Sequence, residues 1–332
     1  MVKRQRIIKR REKKVVAIGG GTGTYVVLTG LKTYPVELSA VISMCDSGGS
    51  TGRLRKELDI LPPGDVRRAI MALSDLPFAR KTLEDVFDFR FTNGKSLAGH
   101  SVGNILLAAL VQITGSMDRA IDEAARIFNV SGSVYPVTLD KSNLVATLTD
   151  GTRIYGESKI DMRNFKLKYP IKKVYLTPKA KIFNKAQKAI EKADLVILGP
   201  GDLYTSIVPT LLVQGMNEAL CKSNAKLVYV VNLLTKRGET DDFAASDFLA
   251  VIRDYLGDAS EKISHVIVHK DKVRSKSKIA KWYKKYGSKL VVNDLSGKKQ
   301  STKIITGDFM DITTLYRHDS SKLAKTIMSL LH

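Results

Sequence analysis

The chain of 332 residues is 44% hydrophobic and carries a formal net charge of +21 at pH 7. This length and apolar content are enough to bury a large core, which argues against an intrinsically disordered protein. No apolar run reaches the length of a membrane span, and no hydrophobic signal segment follows the basic N-terminus, so we expect a cytoplasmic protein. Cys45 and Cys221 are far apart, which argues against a disulfide framework or a cysteine-based zinc site.

Much of the positive charge lies in two stretches. The first is a basic N-terminal arm, residues 1–14, which precedes the first predicted strand. The sequence leaves open whether this arm makes weak contact with nucleic acid or anionic lipid. The second runs from Lys270 to Lys289 and interleaves lysines with Trp282, Tyr283 and Tyr286. These aromatic residues have the spacing of a helix that faces the core, an interpretation that we favour over a surface for RNA or single-stranded DNA.

The first predicted elements are a strand, a glycine turn and a helix. Val15 to Ile18 form an apolar run that leads into the sequence GGGTG, and helical spacing resumes at Tyr25. Glycines leave no Cβ between the backbone amides and a ligand, and the following helix directs its unpaired N–H groups at an anion. We therefore predict a phosphate-binding turn that consists of Gly20, Gly21, Thr22 and Gly23.

A second predicted strand ends at Asp46, where an acidic side chain can accept hydrogen bonds from ribose hydroxyls. The dinucleotide fingerprint G-x-G-x-x-G is incomplete because Thr24 stands at its last glycine, and no Walker A lysine occurs. The alternative is that the first turn is only a tight connection and that Asp46 only caps the next helix. The loop after Asp46 adds the candidates Gly48, Gly49, Ser50, Thr51 and Arg53.

Further polar candidates stand at the starts of two predicted helices. Asp65 follows a Pro-Pro-Gly corner and is placed to cap the helix that contains Arg67 and Arg68. Arginines near two glycine loops are suitable partners for a diphosphate, unless they are surface charges. His100 and Asn104 precede and begin an apolar helix, and a single histidine there is more often structural than catalytic.

The second half of the chain repeats the pattern of strand and glycine turn. Alternating runs between residues 134 and 160 predict an inserted β-meander, and residues 171–176 predict one more strand. Two buried strands then end at a third glycine turn and at Asn232, and such turns converge at the carboxyl edge of an open sheet. This part adds the candidates Gly199, Gly201, Tyr204, Thr205, Ser206, Asn232, Glu239 and Thr240.

These elements predict an α/β fold with a doubly wound, mostly parallel, Rossmann-like sheet and a small inserted β-meander. We expect one nucleotide-binding domain over residues 15–332, with the β-rich lobe at about 134–160. The sequence H-E-x-x-H is absent, and no acidic or histidine cluster has the spacing of a dedicated metal site. The sequence therefore predicts no metal held by the protein alone.

Taken together, the motifs resemble those of the YvcK-type gluconeogenesis factors, within the superfamily of 2-phospho-L-lactate transferase (CofD). The resemblance runs from Val15 to the C-terminus and does not depend on one glycine turn. The resembling segments are VVAIGGGTG, MCDSGGSTGRLR, ILPPGDVR, GHSVGN, GESKID, ADLVILGPGDLYTSIVP, VVNLLTKRGET and RHDSSKLA.

The resemblance implies a Rossmann-like fold that binds a nucleotide at the strand edge. The chain is more similar to the YvcK branch, which implies a UDP-glucose or UDP-N-acetylglucosamine ligand and a role in cell shape and gluconeogenic growth; a dinucleotide is the other ligand we expect. The transferase branch implies transfer of a phosphoryl-linked group with magnesium, for which Asp46, Asp65 and His100 are the catalytic candidates. The sequence leaves open whether the protein forms a homo-oligomer.

Three departures from the family pattern bear on catalysis. Ser47 follows Asp46 where many relatives have a second aspartate, Arg68 replaces a more usual asparagine, and Phe248 stands where a histidine is common. The loss of these polar groups weakens an expectation of turnover more than one of binding. We therefore favour a nucleotide-sugar-binding regulator over a transferase.

Overall fold

The structure is a computed structural model that describes residues 11–75, 80–162, 169–270, 287–295, 302–311, 313–314 and 316–331. Most of the basic arm and residues 271–286 of the lysine-rich stretch lie outside the described residues, as do the interpretations placed on them. The end of the arm is described. Lys13 and Lys14 already belong to the first strand, and Arg11 and Lys13 pair with Asp194.

The described strands form two sheets. Their bounds are Lys13–Gly19 (β1), Val36–Ile42 (β2), Ser133–Pro136 (β3), Asn143–Leu148 (β4), Arg153–Tyr155 (β5), Ile171–Thr177 (β6), Leu195–Leu198 (β7), Lys226–Val230 (β8), Ile263–His269 (β9) and Lys303–Gly307 (β10). Seven of them form a parallel sheet in the order β10-β9-β8-β7-β1-β2-β3. The chain winds from β1 toward β3 and later from β7 toward β10, so the winding reverses between β1 and β7.

The apolar runs explain the central strands. Val15, Val16, Ala17 and Ile18 of β1 are at most 1% exposed, and β7 is equally buried. A strand covered on both faces needs a continuous apolar run, because side chains on either side of the sheet meet a helix layer. The predicted doubly wound, mostly parallel fold is confirmed.

Helices cover both faces of this sheet. The helix Gly21–Leu31 packs against the helices Gly64–Leu73 and Ser320–Met328. Every helix in the described part of the chain is too short or too polar to span a lipid bilayer. The helix bounds are Gly21–Leu31 (α1), Gly49–Glu57 (α2), Gly64–Leu73 (α3), Arg80–Asp88 (α4), Val102–Thr114 (α5), Met117–Ile127 (α6), Glu157–Asp161 (α7), Asn184–Glu191 (α8), Val208–Leu211 (α9), Met216–Lys222 (α10), Ala245–Leu256 (α11) and Ser320–Met328 (α12).

The small sheet differs in its bounds from the predicted β-meander. It contains β5, β4 and β6 in antiparallel order, whereas the first run of the expected lobe is β3, which pairs in parallel with β2. Alternating burial of β3 marks a half-buried strand but does not identify its partner. The inserted sheet therefore spans residues 143–177, and α7, between β5 and β6, lies against the main domain.

Candidate functional site

A cavity of about 610 Å³ lies at the carboxyl edge of the main sheet. Its lining follows the ends of the neighbouring strands β2, β1, β7 and β8. Neighbouring strands are about 4.8 Å apart, so the lining extends over roughly 14 Å. The winding reverses in the middle of this span, which is where open α/β sheets bind ligands. The sequence-predicted residues that line the cavity are Gly20, Gly21, Thr22, Gly23, Asp46, Asp65, Gly201, Thr205, Ser206 and Asn232.

Two glycine turns meet at the centre of the cavity. Gly21 begins α1 at a φ of +66°, a conformation that side chains other than glycine rarely adopt. A Cβ on Gly23 would lie 2.1 Å from the carbonyl oxygen of Pro200, in the turn after β7. Only glycine at this position lets the two turns approach so closely. The turns after β1 and β7 thus form one continuous wall.

Arg68 and Arg67 have different surroundings although they are adjacent on α3. Arg68 lines the cavity, and its Nη1 donates a hydrogen bond to Thr22 Oγ1 at 3.2 Å. Arg67 is buried, pairs with Asp88 and lies against Gly103. Successive helical residues point about 100° apart, so only one of the pair faces the turn. Of the two arginines considered from sequence, the structure places Arg68 at the cavity.

Asp46, Asp65 and Glu157 make one wall of the cavity acidic. Burial, reinforced by the charge of Asp46, raises the pKa of Asp65 to about 6, although Arg68 and the N–H of Gly21 oppose the shift. Burial and the same neighbouring charge raise the pKa of Glu157 to about 8. The Asp65 carboxylate lies close to the predicted phosphate turn, since a Cβ on Gly20 would lie 2.5 Å from Asp65 Oδ2. This wall favours a proton or a cation.

A second group of carboxylates surrounds Lys236. Ligand oxygens of Asp161, Asp202 and Glu239 lie within 4.8 Å of one another. The Lys236 ammonium contacts Asp161, Asp202 at 2.6 Å and Glu239 at 3.1 Å. Burial by itself lowers the pKa of Lys236, but these three charges raise it above its usual value. The lysine therefore supplies the positive charge of a site whose ligand set would otherwise suit a metal ion, and it links α7 to the turn after β7.

Glu239 supports the cavity from behind. Its side chain is 1% exposed and accepts hydrogen bonds from the N–H of Tyr204 at 3.2 Å and from Thr205 Oγ1 at 3.0 Å. These bonds hold the π-helical turn Leu203–Ile207, which presents Thr205 and Ser206 to the cavity. Burial raises the pKa of Glu239 to about 7 while Lys236 opposes the shift. Single π-helical turns are common at functional sites.

Other predicted site residues form a buried network beneath α2. Ser50 Oγ lies 3.0 Å from His100 Nδ1, and Asn104 Nδ2 donates to Ser50 at 3.2 Å and to Thr51 at 3.3 Å. This network joins α2 to the start of α5. The predicted residues that do not line the cavity are Gly48, Gly49, Ser50, Thr51, Arg53, Arg67, His100, Asn104, Gly199, Tyr204, Glu239 and Thr240.

His100→Ala should lower stability without changing ligand affinity. The substitution removes the partner of Ser50 and opens space in a buried site, so we expect a loss of about 1–2 kcal/mol in the free energy of unfolding. Urea titration and ligand calorimetry on the same sample measure the two effects. Loss of ligand binding at unchanged stability would instead indicate that His100 touches the ligand.

Several lining residues were not among the sequence candidates. Some lie in segments that strongly resemble the family, such as GESKID and RHDSSKLA. The resemblance could therefore identify them, although they do not directly follow a strand. The additional lining residues are Val26, Glu157, Asp161, Pro200, Asp202, Leu233, Leu234, Thr235, Lys236, Arg237, Ser288, Tyr316, Arg317 and His318.

Comparison with known proteins agrees with this architecture. The profile of the family "2-phospho-L-lactate transferase CofD" matches residues 15–310. The chain is 42% identical to the gluconeogenesis factor of Halalkalibacterium halodurans over 320 residues, 96% of both proteins. It is 37% identical to the gluconeogenesis factor of Bacillus subtilis, over 97% of this chain and 99% of that protein. A crystal structure of a UPF0052 family member from Bacillus halodurans, 42% identical, gives a TM-score of 0.87 over 96% of this chain and 99% of that chain.

The parallel sheet and the cavity beside its reversal point define a Rossmann-like α/β protein. Since the profile covers most of the chain, the protein belongs to the CofD family. The resemblance expected from the motifs is confirmed, and the similarity to gluconeogenesis factors extends over nearly the whole chain.

Proposed function

We propose that this protein binds a nucleotide sugar of the UDP-glucose or UDP-N-acetylglucosamine class and acts as a cytoplasmic regulator of gluconeogenic and cell-shape metabolism. The observation that carries the proposal is the contact between the glycine turns at Gly23 and Pro200, beside the reversal point of the sheet. At this contact, the backbone amides of the turns and the N-terminus of α1 are available to bind a diphosphate. The names of the relatives support the metabolic part.

The dimensions of the cavity suit an extended ligand. Its volume of about 610 Å³ is within the usual range of small-molecule sites, roughly 300–1,000 Å³. With the diphosphate at the central turns, space remains on both sides for a nucleoside and for a sugar. Asp46, Glu157 and, across the cavity, Asn232 offer oxygen acceptors for ribose and sugar hydroxyls.

The acidic wall implies a cation alongside the diphosphate. Asp46, Asp65 and Glu157 would repel phosphate oxygens if all three were ionised. Carboxylate oxygens are hard ligands of the kind that Mg²⁺ prefers, and Mg²⁺ often joins one or two carboxylates to substrate phosphates. The donor set therefore fits magnesium, which would neutralise both the wall and the ligand.

Isothermal titration calorimetry with UDP-glucose, UDP-N-acetylglucosamine and a dinucleotide, each with magnesium, tests the proposal. We expect saturable binding with a stoichiometry of one ligand per chain, and native mass spectrometry of the purified protein should detect a co-purified nucleotide. Absence of saturable binding to all three ligands would contradict it.

Asp65→Asn tests whether the Asp65 carboxylate binds magnesium. Magnesium should tighten nucleotide-sugar binding to the wild type by about tenfold or more, and to the variant by less than about twofold, because asparagine lacks the charge that attracts the cation. Calorimetry with magnesium and with a chelator measures both ratios. Asp85→Asn, on the exposed surface of α4, is the control. An equal response of Asp65→Asn and the wild type to magnesium would exclude Asp65 as a magnesium ligand.

Family membership and the carboxylates Asp46 and Asp65 favour a second function, transfer of a phosphoryl-linked group. Positioning and charge stabilisation would carry such a reaction. Incubation with magnesium, a nucleoside-diphosphate-linked donor and candidate acceptors, followed by mass spectrometry, distinguishes the two. A product would assign a transferase; tight binding without a product supports the regulator.

A further inference from the structure

The small sheet of β5, β4 and β6 has two faces with different surroundings. Leu144, Ala146 and Leu148 of β4 are buried in the core of the domain. Because successive side chains of a strand point to opposite faces, Val145 and Thr147 lie on the other, outer face. The residues of this outer face are Val145, Thr147, Arg153, Tyr155, Lys173 and Tyr175.

Two tyrosines flank Val145 on the outer face. Val145 is the partner of Tyr155 on β5 and of Tyr175 on β6. Side chains of directly opposed residues share a face, so the two rings stand on either side of Val145. Tyr155 is 55% exposed, and Tyr175 is half-buried. Neighbouring strands are about 4.8 Å apart, which places the two tyrosine backbones roughly 10 Å apart. The outer face therefore offers two accessible aromatic rings.

The next row of the outer face is basic. Thr147 is the partner of Arg153 on β5 and of Lys173 on β6, and both basic residues are exposed. The register of β4 and β6 then shifts between Thr147 and Leu148, which leaves Lys172 as an extra residue. Such a bulge bends the strand and redirects its side chains, and Lys172 is exposed as well. Three cations thus stand next to the two rings.

The carboxylates near these three cations have other partners. Asp150, in the turn between β4 and β5, accepts hydrogen bonds from the N–H and the Oγ1 of Thr152. Glu157 and Asp161 of α7 line the cavity, and Asp161 contacts Lys236. Within the described part of the chain, none of the three cations forms an ion pair. Their charge is therefore available to an anionic partner.

Rings and cations together identify the chemistry of that partner. Unpaired bases stack on aromatic side chains, and the phosphates that join them bind lysine and arginine. A duplex would offer its phosphates but keep its bases stacked inside, away from the rings. The outer face thus matches a single strand better than a double helix, and the net charge of +21 favours the encounter.

We propose that the outer face of the small sheet binds a single-stranded nucleic acid. Bases stack on Tyr155 and Tyr175, and the three cations bind the phosphates. Since the rings are roughly 10 Å apart and stacked nucleotides only about 3.4 Å, the rings take two bases that are not stacked on each other. None of these residues lines the cavity, so this binding does not depend on a nucleotide sugar.

Fluorescence anisotropy of the full chain tests the proposal, with labelled oligouridylate RNA and oligothymidylate DNA of about 12 nucleotides, within the usual site sizes. We expect saturable binding of the single strand that both tyrosines support. Tyr155→Ala should weaken it by about 5- to 100-fold, because the stacking of one base is lost. Tyr155→Phe keeps the ring and should stay within about twofold of the wild type. Comparison of the two oligonucleotides distinguishes RNA from DNA as the preferred strand.

The salt dependence of the same binding tests the cations separately. Each phosphate contact with a single strand contributes about 0.7 to the slope of log K against log salt concentration. The double variant Lys172→Gln/Lys173→Gln should therefore reduce this slope by about 1.4. If Tyr155→Ala proves unfolded in a urea titration, this slope decides, and an unchanged slope overturns the proposal.

Two controls match the removed groups. Phe89→Ala removes a ring that is 52% exposed, just after α4, and Arg126→Gln removes an exposed cation of α6. Both should leave the affinity within about twofold of the wild type. Wild-type affinity in folded Tyr155→Ala would overturn the proposal, since the strand then binds another basic surface. An equal loss in Tyr155→Phe, or an equal effect of Tyr155→Ala on a duplex, would exclude base stacking. Absence of wild-type binding at low salt, with Tyr155-dependent binding to phosphatidylserine vesicles instead, would assign the face to a membrane surface.

Discussion

Replacement of Lys236 by methionine is expected to destabilise the protein by about 3 kcal/mol at pH 8.5. The substitution leaves Asp161, Asp202 and Glu239 facing one another without a counter-ion. Breaking a buried ion pair by removing one partner typically costs about 3–5 kcal/mol, and the 26% exposure of the Lys236 side chain places this case at the lower end. Urea titration of both proteins measures the difference in the free energy of unfolding.

The loss should grow as the pH rises. The folded-state pKa of Glu239 is raised to about 7 from its usual 4.5, and it rises further when Lys236 is absent. The folded state then binds this proton more tightly than the unfolded state, so stability falls as pH increases from about 4.5 through the folded-state pKa. The loss in the free energy of unfolding caused by Lys236→Met should therefore be smaller at pH 5.5 than at pH 8.5.

Two further variants identify the cause. Lys236→Met combined with Glu239→Gln should recover more than half of the lost stability, since the glutamine oxygen still accepts from Tyr204 or Thr205 without carrying a charge. Lys289→Met removes an exposed pair with Asp242 and should leave the free energy of unfolding close to that of the wild type. A deficit for Lys236→Met below about 1 kcal/mol, or one independent of pH, would refute a role for the carboxylates.

The sequence predicts those strands whose own residues form a clear hydrophobic pattern. β1 and β7 are buried on both faces, so their sequences are continuous apolar runs that need no knowledge of their neighbours. The alternating sequence of β3 predicts a strand, but such alternation does not encode whether the partner strand is parallel or antiparallel. Its place beside β2 depends on contacts distant in sequence, and this is why the bounds of the inserted lobe differed.

The residues of the candidate site also differ in whether the sequence alone can predict their position. Gly23, Asp46 and Asn232 could be predicted to converge because each follows a strand whose carboxyl end lies at one sheet edge. The carboxylates around Lys236 come from separate segments and have no common spacing. His100 shows the opposite difficulty: a polar residue near a glycine loop has the same local sequence whether it faces the cavity or the underside of α2.

The largest effect on ligand binding is expected from Gly23→Ala. A Cβ there would lie 2.1 Å from the Pro200 carbonyl oxygen and 2.6 Å from its carbon, and because both are backbone atoms the two turns must separate. The amides of the two turns then no longer converge on one diphosphate, so we expect a loss of nucleotide-sugar affinity of about 100-fold or more, which corresponds to two lost hydrogen bonds to a charged group at about 1.5 kcal/mol each. The strain should also lower stability by about 1–3 kcal/mol. Calorimetry and urea titration measure the two effects.

Gly48→Ala is the matched control for the added methyl group. A Cβ on Gly48 would meet its nearest neighbour, Asp46 Oδ1, at 3.6 Å, an ordinary contact, and Gly48 does not line the cavity. Its φ of −89° is open to alanine, so affinity and stability should stay near the wild-type values. If Gly23→Ala also bound the ligand with wild-type affinity, the diphosphate could not lie where the turns after β1 and β7 touch. The ligand site would then have to lie along the lining between Asn232 and His318, away from the N-terminus of α1.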